Sequence, residues 1–200
     1  MLVYLHGFAS SGQSLKARRL AEWLAPLPVL APTYPQTPAR AGPFLREYIL
    51  TQLAERRPER LLLVGSSLGG YYGEWLAREF GCGLVLINPA LDPAGVLRPL
   101  LGENRIYCSG ERFHFGPEDL QALARYDCGK PCVGAGPRLL LVDLGDEVID
   151  SQLALTRYRD CARCLAFEGG DHAFAHLRES LDAILDTYRA CPPVSLAAGA

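Results

Sequence analysis

The segment Leu61-Leu62-Leu63-Val64-Gly65-Ser66-Ser67-Leu68-Gly69-Gly70 carries a Gly-x-Ser-x-Gly spacing at Gly65, Ser67 and Gly69. Spacing alone is a weak signal, since a chain with 20 Gly in 200 residues produces such a match about one time in ten. Its setting is specific. An apolar run precedes it and an amphipathic stretch follows, the strand-turn-helix context that holds a nucleophilic serine above a sheet. Glycines are needed on both sides because a Cβ there would collide in so sharp a turn. The frame selects Ser67; Ser66 lacks both flanking glycines and reads as a helix N-cap.

A serine hydroxyl attacks only when a base takes its proton, and the base needs a carboxylate to hold its tautomer. In this architecture the chain order is Ser, acid, His, each beyond the carboxyl end of a strand. The apolar run 139–144 empties into Gly145-Asp146-Glu147-Val148, and the run 164–167 into Glu168-Gly169-Gly170-Asp171-His172. Asp146 is therefore the expected acid, with Glu147 and Asp150 as solvated alternatives and Asp143 as buried structure. Among four histidines, His172 is the expected base. His176 reads as helix surface. The His172-x3-His176 spacing could suit a metal, but Ala173 stands where a metalloprotease has glutamate, so no metal is expected. His114 reads as packing and His6 as a brace for the loop after the first strand. That loop is positioned to offer the Phe8 amide to a developing oxyanion, with the Leu68 amide as second donor. Tyr71, Tyr107, Phe113 and Phe115 are expected to frame a shallow acyl pocket.

Positioning these groups requires a parallel sheet with crossover helices. Strands are predicted at 2–5, 29–31, 61–64, 84–87, 139–144 and 164–167, and helices at 15–24, 44–56, 68–80, 117–125, 151–159 and 175–189. Continuous apolar strands imply helices on both faces, a three-layer α/β sandwich. Residues 88–137 form a long Pro- and Gly-punctuated insertion of lid-like character. One domain is expected over 1–190, followed by a loose tail at 191–200.

Composition narrows the function. The chain is 49% apolar and 21% charged with a net charge of −2, and it has no basic block to track phosphates, so nucleic acid is not an expected partner. No run of 18 apolar residues suggests a membrane span. The start lacks the pattern of a secretory signal, so a cytoplasmic protein is expected and the seven cysteines read as reduced thiols. Cys128-x3-Cys132 and Cys161-x2-Cys164 mimic two halves of a zinc site, but the reading here is structural or incidental thiols.

The set Tyr4-Leu5-His6-Gly7-Phe8, Gly65-Ser66-Ser67-Leu68-Gly69-Gly70-Tyr71-Tyr72, Asn88-Pro89-Ala90, Gly145-Asp146-Glu147-Val148 and Gly169-Gly170-Asp171-His172-Ala173-Phe174 resembles the YqiA-like family of small bacterial α/β-hydrolase esterases. The likeness runs over about residues 1–188. It implies an α/β-hydrolase fold reduced to six strands, and a cytosolic carboxylic-ester hydrolase with Ser67, Asp146 and His172 in the triad positions. The implied partner is a small-molecule ester or thioester, with no cofactor. The alternative is a non-catalytic binding module on the same scaffold, against which the complete set of candidate groups argues.

Overall fold

A computed structural model describes residues 1–134 and 136–194. The strands are β1 (Leu2–Leu5), β2 (Val29–Leu30), β3 (Leu62–Ser66), β4 (Gly83–Ile87), β5 (Gly102–Arg105), β6 (Arg112–Phe115), β7 (Arg138–Asp143) and β8 (Arg163–Phe167). The helices are α1 (Leu15–Trp23), α2 (Pro38–Arg56), α3 (Leu68–Phe80), α4 (Pro93–Leu97), α5 (Pro117–Leu123), α6 (Ser151–Tyr158) and α7 (Leu181–Arg189). Six strands form one sheet in the order β2-β1-β3-β4-β7-β8, and every pairing in it is parallel.

Alternate residues along each strand enter different cores, as the pleat demands. Val3, Leu5, Leu63, Leu84, Leu86 and Leu140 pack with α2, α3 and α6 on one face. Leu2, Tyr4, Leu62, Val64, Val85 and Leu139 pack with α1 and α7 on the other. The predicted three-layer sandwich is thus the observed one, and its six strands lie within two residues of their predicted positions.

Three elements differ from expectation. Helix α2 starts at Pro38, six residues before the predicted start, because Pro38 occupies its first turn, where a missing N–H costs nothing. Its buried Ala41, Leu45, Ile49 and Leu53 recur every four residues straight through Pro43. The predicted helix 175–189 is broken into a single turn at Ala175–Leu177 and α7. The insertion contains α4 and a separate β5–β6 hairpin besides the predicted α5. That hairpin was unreadable because Gly102-Glu103-Asn104-Arg105 lacks an apolar alternation.

Two further expectations are corrected. Residues 191–194 are tied down rather than loose: Cys191 is buried, its carbonyl accepts from Arg60 Nε at 3.1 Å, and the Val194 N–H donates to Glu59 O at 2.9 Å. Residues 195–200 of the predicted tail lie outside the described residues. The cysteines are not all free thiols, because Cys132 and Cys161 form a disulfide. The bond takes one cysteine from each apparent zinc half-site, and Cys128 and Cys164 instead donate to the carbonyls of Tyr126 and Ala162. With that bond, the cysteines no longer argue for a reducing compartment. No helix among the described residues is long and apolar enough to cross a membrane.

The disulfide spans 29 residues and joins the end of the insertion to the turn before β8. Loop-closure entropy assigns such a link about 3–4 kcal/mol. Cys161→Ser should therefore lower Tm by roughly 6–16 °C, and reductant should do the same to the wild type. Calorimetry with and without reductant checks this; a Tm that ignores both changes would show the link to be energetically idle.

Candidate active site

Ser67 follows β3 directly, with φ 54° and ψ −121°, a left-handed backbone that a non-glycine residue rarely adopts. Neighbouring strand ends hold it there. Its N–H donates to Ile87 O at 3.0 Å, and its carbonyl accepts from Gly70 N at 2.9 Å and Ala90 N at 3.1 Å. The flanking glycines are required by contact: a Cβ on Gly65 would lie 2.3 Å from Gly69 O, and one on Gly69 would lie 2.1 Å from Leu5 O. Gly69→Ala must push α3 off β1, and it should cost about 3–5 kcal/mol in guanidinium unfolding. A loss under 1 kcal/mol would show that the turn has slack. Ser66, expected as an N-cap, is instead the buried last residue of β3. Ser67 itself stands at the cap position of α3, and its hydroxyl caps nothing.

The hydroxyl faces His172 instead. His172 Nε2 lies 3.1 Å from Ser67 Oγ, and Nδ1 lies 2.9 Å from Asp146 Oδ2 and 3.1 Å from Oδ1. The three groups come from the loops after β3, β7 and β8, whose carboxyl ends share one rim of the sheet. The Asp146 side chain is almost wholly buried, while a quarter of His172 is exposed. Burial pushes the Asp146 carboxyl up, but the His172 hydrogen bond and the amides of Ile149 and Val148 outweigh it, holding the group below the usual aspartate value. Both of those amides donate to Oδ1 at 2.8 Å. The alternative acids do other work. Glu147 accepts the backbone N–H of His172 at 3.0 Å, and Asp150 caps α6.

The loop after β1 lies against the serine: a Cβ on Gly7 would sit 3.3 Å from Ser67 Cβ and 3.7 Å from its Oγ. His6 is fully buried, stacks on Tyr34 at 3.8 Å, and its Nδ1 donates to Gly7 O at 2.8 Å. Burial pushes its imidazole down to about 4 against the pull of that bond, so it braces the loop as a neutral ring. Gln36 clamps the same loop, accepting from Ala9 N and donating to Ser10 O, each at 2.9 Å. The insertion adds a third support. The Tyr107 N–H donates to Ala9 O at 2.9 Å, and Phe113 and Phe115 meet Phe8 edge-on at 5.4 and 5.0 Å. Leu68 opens α3, so its amide has no intrahelical acceptor.

Ser67 and His172 sit in a cleft of about 690 Å³ between α1 and the α4 region of the insertion. Its walls include Leu15, Leu97, Leu100, Val148 and Tyr107, and four of these five side chains are exposed apolar surface. The acyl pocket expected from sequence would have to be this cleft, which adjoins Ser67. Of the four aromatics expected in it, Tyr107 lines the cleft. Tyr71 turns the other way, donating to Leu123 O and lining a separate, much smaller hollow beside Glu74. Phe115 is completely buried, and with Phe113 it supports Phe8. His114 pairs with Glu103 on the exposed hairpin.

Sequence reasoning missed Lys16, on the cleft wall, which donates to Ala173 O beside the histidine. Burial pushes its ammonium down to about 8, opposed by Asp171, Asp143 and Asp146. His176 also differs from expectation. It is not helix surface: it stacks on Phe167 at 4.8 Å, and Nδ1 lies 2.7 Å from the fully buried Asp143. The two histidines of the apparent metal spacing thus bond to separate carboxylates.

Solved structures share this architecture. The chain superimposes on Est1E from Butyrivibrio proteoclasticus with bound ferulic acid at TM-score 0.71 and 15% identity, covering 92% of this chain and 86% of that one. It matches α/β hydrolase domain-containing protein 10 from mouse at TM-score 0.66 and 20% identity, covering 92% and 89%. A monoacylglycerol lipase from Paleococcus ferrophilus matches at TM-score 0.64 and 19% identity, covering 92% of each chain. At such identities the likeness establishes the α/β-hydrolase fold. The model of the uncharacterised protein family UPF0227 matches residues 1–188, nearly the whole length, and the chain belongs to that family.

Proposed function

We propose that this protein is a serine esterase that hydrolyses small carboxylic esters, or acyl thioesters, through an acyl-Ser67 intermediate. The observation that carries the reading is the 3.1 Å contact of Ser67 Oγ with an imidazole whose other nitrogen meets a buried carboxylate. Ser67 Oγ attacks the acyl carbon while His172 Nε2 takes its proton. Negative charge gathers on the carbonyl oxygen, where the amides of Phe8 and Leu68 receive it; each such donor contributes about 3 kcal/mol of barrier stabilisation. The intermediate collapses as His172 returns the proton to the departing alkoxide or thiolate. Water then attacks the acyl-serine, His172 takes its proton, and the carboxylic acid leaves with Ser67 restored. Asp146 balances the imidazolium at both stages. No cofactor enters the scheme. Ferulic acid in Est1E, and the monoacylglycerol lipase activity in the name of another neighbour, favour an acyl ester as the substrate type.

The test is a panel of p-nitrophenyl esters and acyl thioesters of graded chain length, run beside labelling by a fluorophosphonate. Turnover with one label per chain is expected. A folded protein that neither turns over any member nor takes the label would overturn the reading in favour of a binding module.

A further inference from the structure

We infer that Asn88 is the positioning residue that holds His172 in line with Ser67. The inference rests on the esterase reading above. Asn88 follows β4 directly and is 1% exposed, with φ 41°, in the left-handed region that asparagine tolerates. Its carboxamide faces two chain segments at once. Oδ1 accepts the Asp143 N–H at 3.0 Å, and Nδ2 donates to Asp171 O at 3.0 Å and, at longer range, to His172 O at 3.5 Å. The backbone beside it holds the serine turn through Ile87 O and Ala90 N. The buried side chain therefore links the strand leading to Asp146 with the loop bearing His172, and the backbone on either side of it holds the serine turn.

The bond between Asn88 and the loop has a counterpart in Asp143. Its carboxylate accepts from Ala175 N at 2.7 Å and from Asp171 N at 3.4 Å, so the loop is gripped by its carbonyls on one side and its amides on the other. The carboxamide at position 88 supplies the acceptor for Asp143 N and the donor for Asp171 O together, which an ionised carboxylate cannot do and glycine has no side chain to do. Aspartate there would keep the acceptor but set a carboxylate oxygen against a carbonyl oxygen in a buried site. That contact must open, and its carbonyl, Asp171 O, belongs to the residue next to His172, so the histidine's backbone shifts with it. Catalytic geometry tolerates errors of about 0.5 Å, and a 1 Å misplacement can cost about 10²-fold in rate.

Asn88→Asp and Asn88→Gly test this, because both residues accept the backbone conformation at 88 and so isolate the side chain. The readout is kcat per serine titrated with fluorophosphonate, which is independent of how much chain folds. Both variants are expected to lose about 10²-fold in kcat per titrated site, with KM within about threefold of wild type. A purely structural role would lower the number of titrated sites and leave kcat per site unchanged, and that result overturns the inference. Should wild type hydrolyse no ester, the esterase reading falls separately. Imidazole ¹⁵N shifts of His172 then decide this one: a shift pattern unchanged in Asn88→Asp would overturn it, and a changed one would support it.

Discussion

Ser67→Ala should lower kcat for an activated ester by about 10⁵-fold while leaving the fold intact. The substitution removes the atom that the proposed mechanism acylates. It adds no volume and keeps the hydrogen bonds of Ser67 N and O with Ile87, Gly70 and Ala90. The Tm should stay within a few degrees of wild type, and fluorophosphonate labelling should vanish. His172→Ala should cost about as much, and the double variant little more than either alone, because nucleophile and base act as one unit. Steady-state kinetics on all three proteins checks this. Residual activity within tenfold of wild type in Ser67→Ala would remove the serine from the mechanism.

Asp146→Asn should lower kcat by about 10⁴-fold, through a tautomer rather than a lost contact. Asp146 Oδ1 accepts the amides of Val148 and Ile149, so an asparagine would keep its carbonyl oxygen there and turn its NH₂ toward His172 Nδ1. An NH₂ facing Nδ1 requires that nitrogen to be the unprotonated one. The ring proton then moves to Nε2, and the nitrogen facing Ser67 Oγ can no longer take the serine's proton. Kinetics at neutral pH should show the loss in kcat with KM nearly unchanged. A loss under tenfold would shift the supporting role to another acid. In the wild type, the depressed Asp146 keeps its charge at acidities where a free aspartate begins to protonate, so loss of activity on mild acidification should not originate at this carboxyl.

The parts of this molecule that could be read directly are those whose sequence signal is local. Buried parallel strands need uninterrupted apolar runs, and runs such as Leu84 to Ile87 announced themselves. Gly65 and Gly69 are demanded by contacts within one turn and with the adjoining strand, so their spacing survives in the linear sequence. What could not be read depends on side-chain direction across long separations. Tyr71 and Tyr72 are neighbours on α3, and nothing in their order tells that Tyr72 is buried in the core while Tyr71 lines the smaller hollow away from Ser67. Asn88 acts on residues 55 and 83 positions away, and an isolated asparagine after a strand has no signature of that duty. Asp143 was readable as buried but not as the partner of His176, because that helix breaks after Leu177. The link between Cys132 and Cys161 was obscured by a spacing that mimics zinc ligation.

The floor of the cleft is made by the loops that carry Ser67, Asp146 and His172, while two of its walls come from stretches that supply none of those groups: α1 on one side, residues 96–100 and Tyr107 of the insertion on the other. Those two walls can therefore change shape without displacing Ser67, Asp146 or His172. Substitutions along those walls should alter which test substrates the cleft accepts while the Ser67–His172–Asp146 contacts stay as they are. The insertion is tied to the loop after β1 as well as to the cleft, so a change in its wall is independent of the serine only while Phe113 and Phe115 keep their contacts with Phe8.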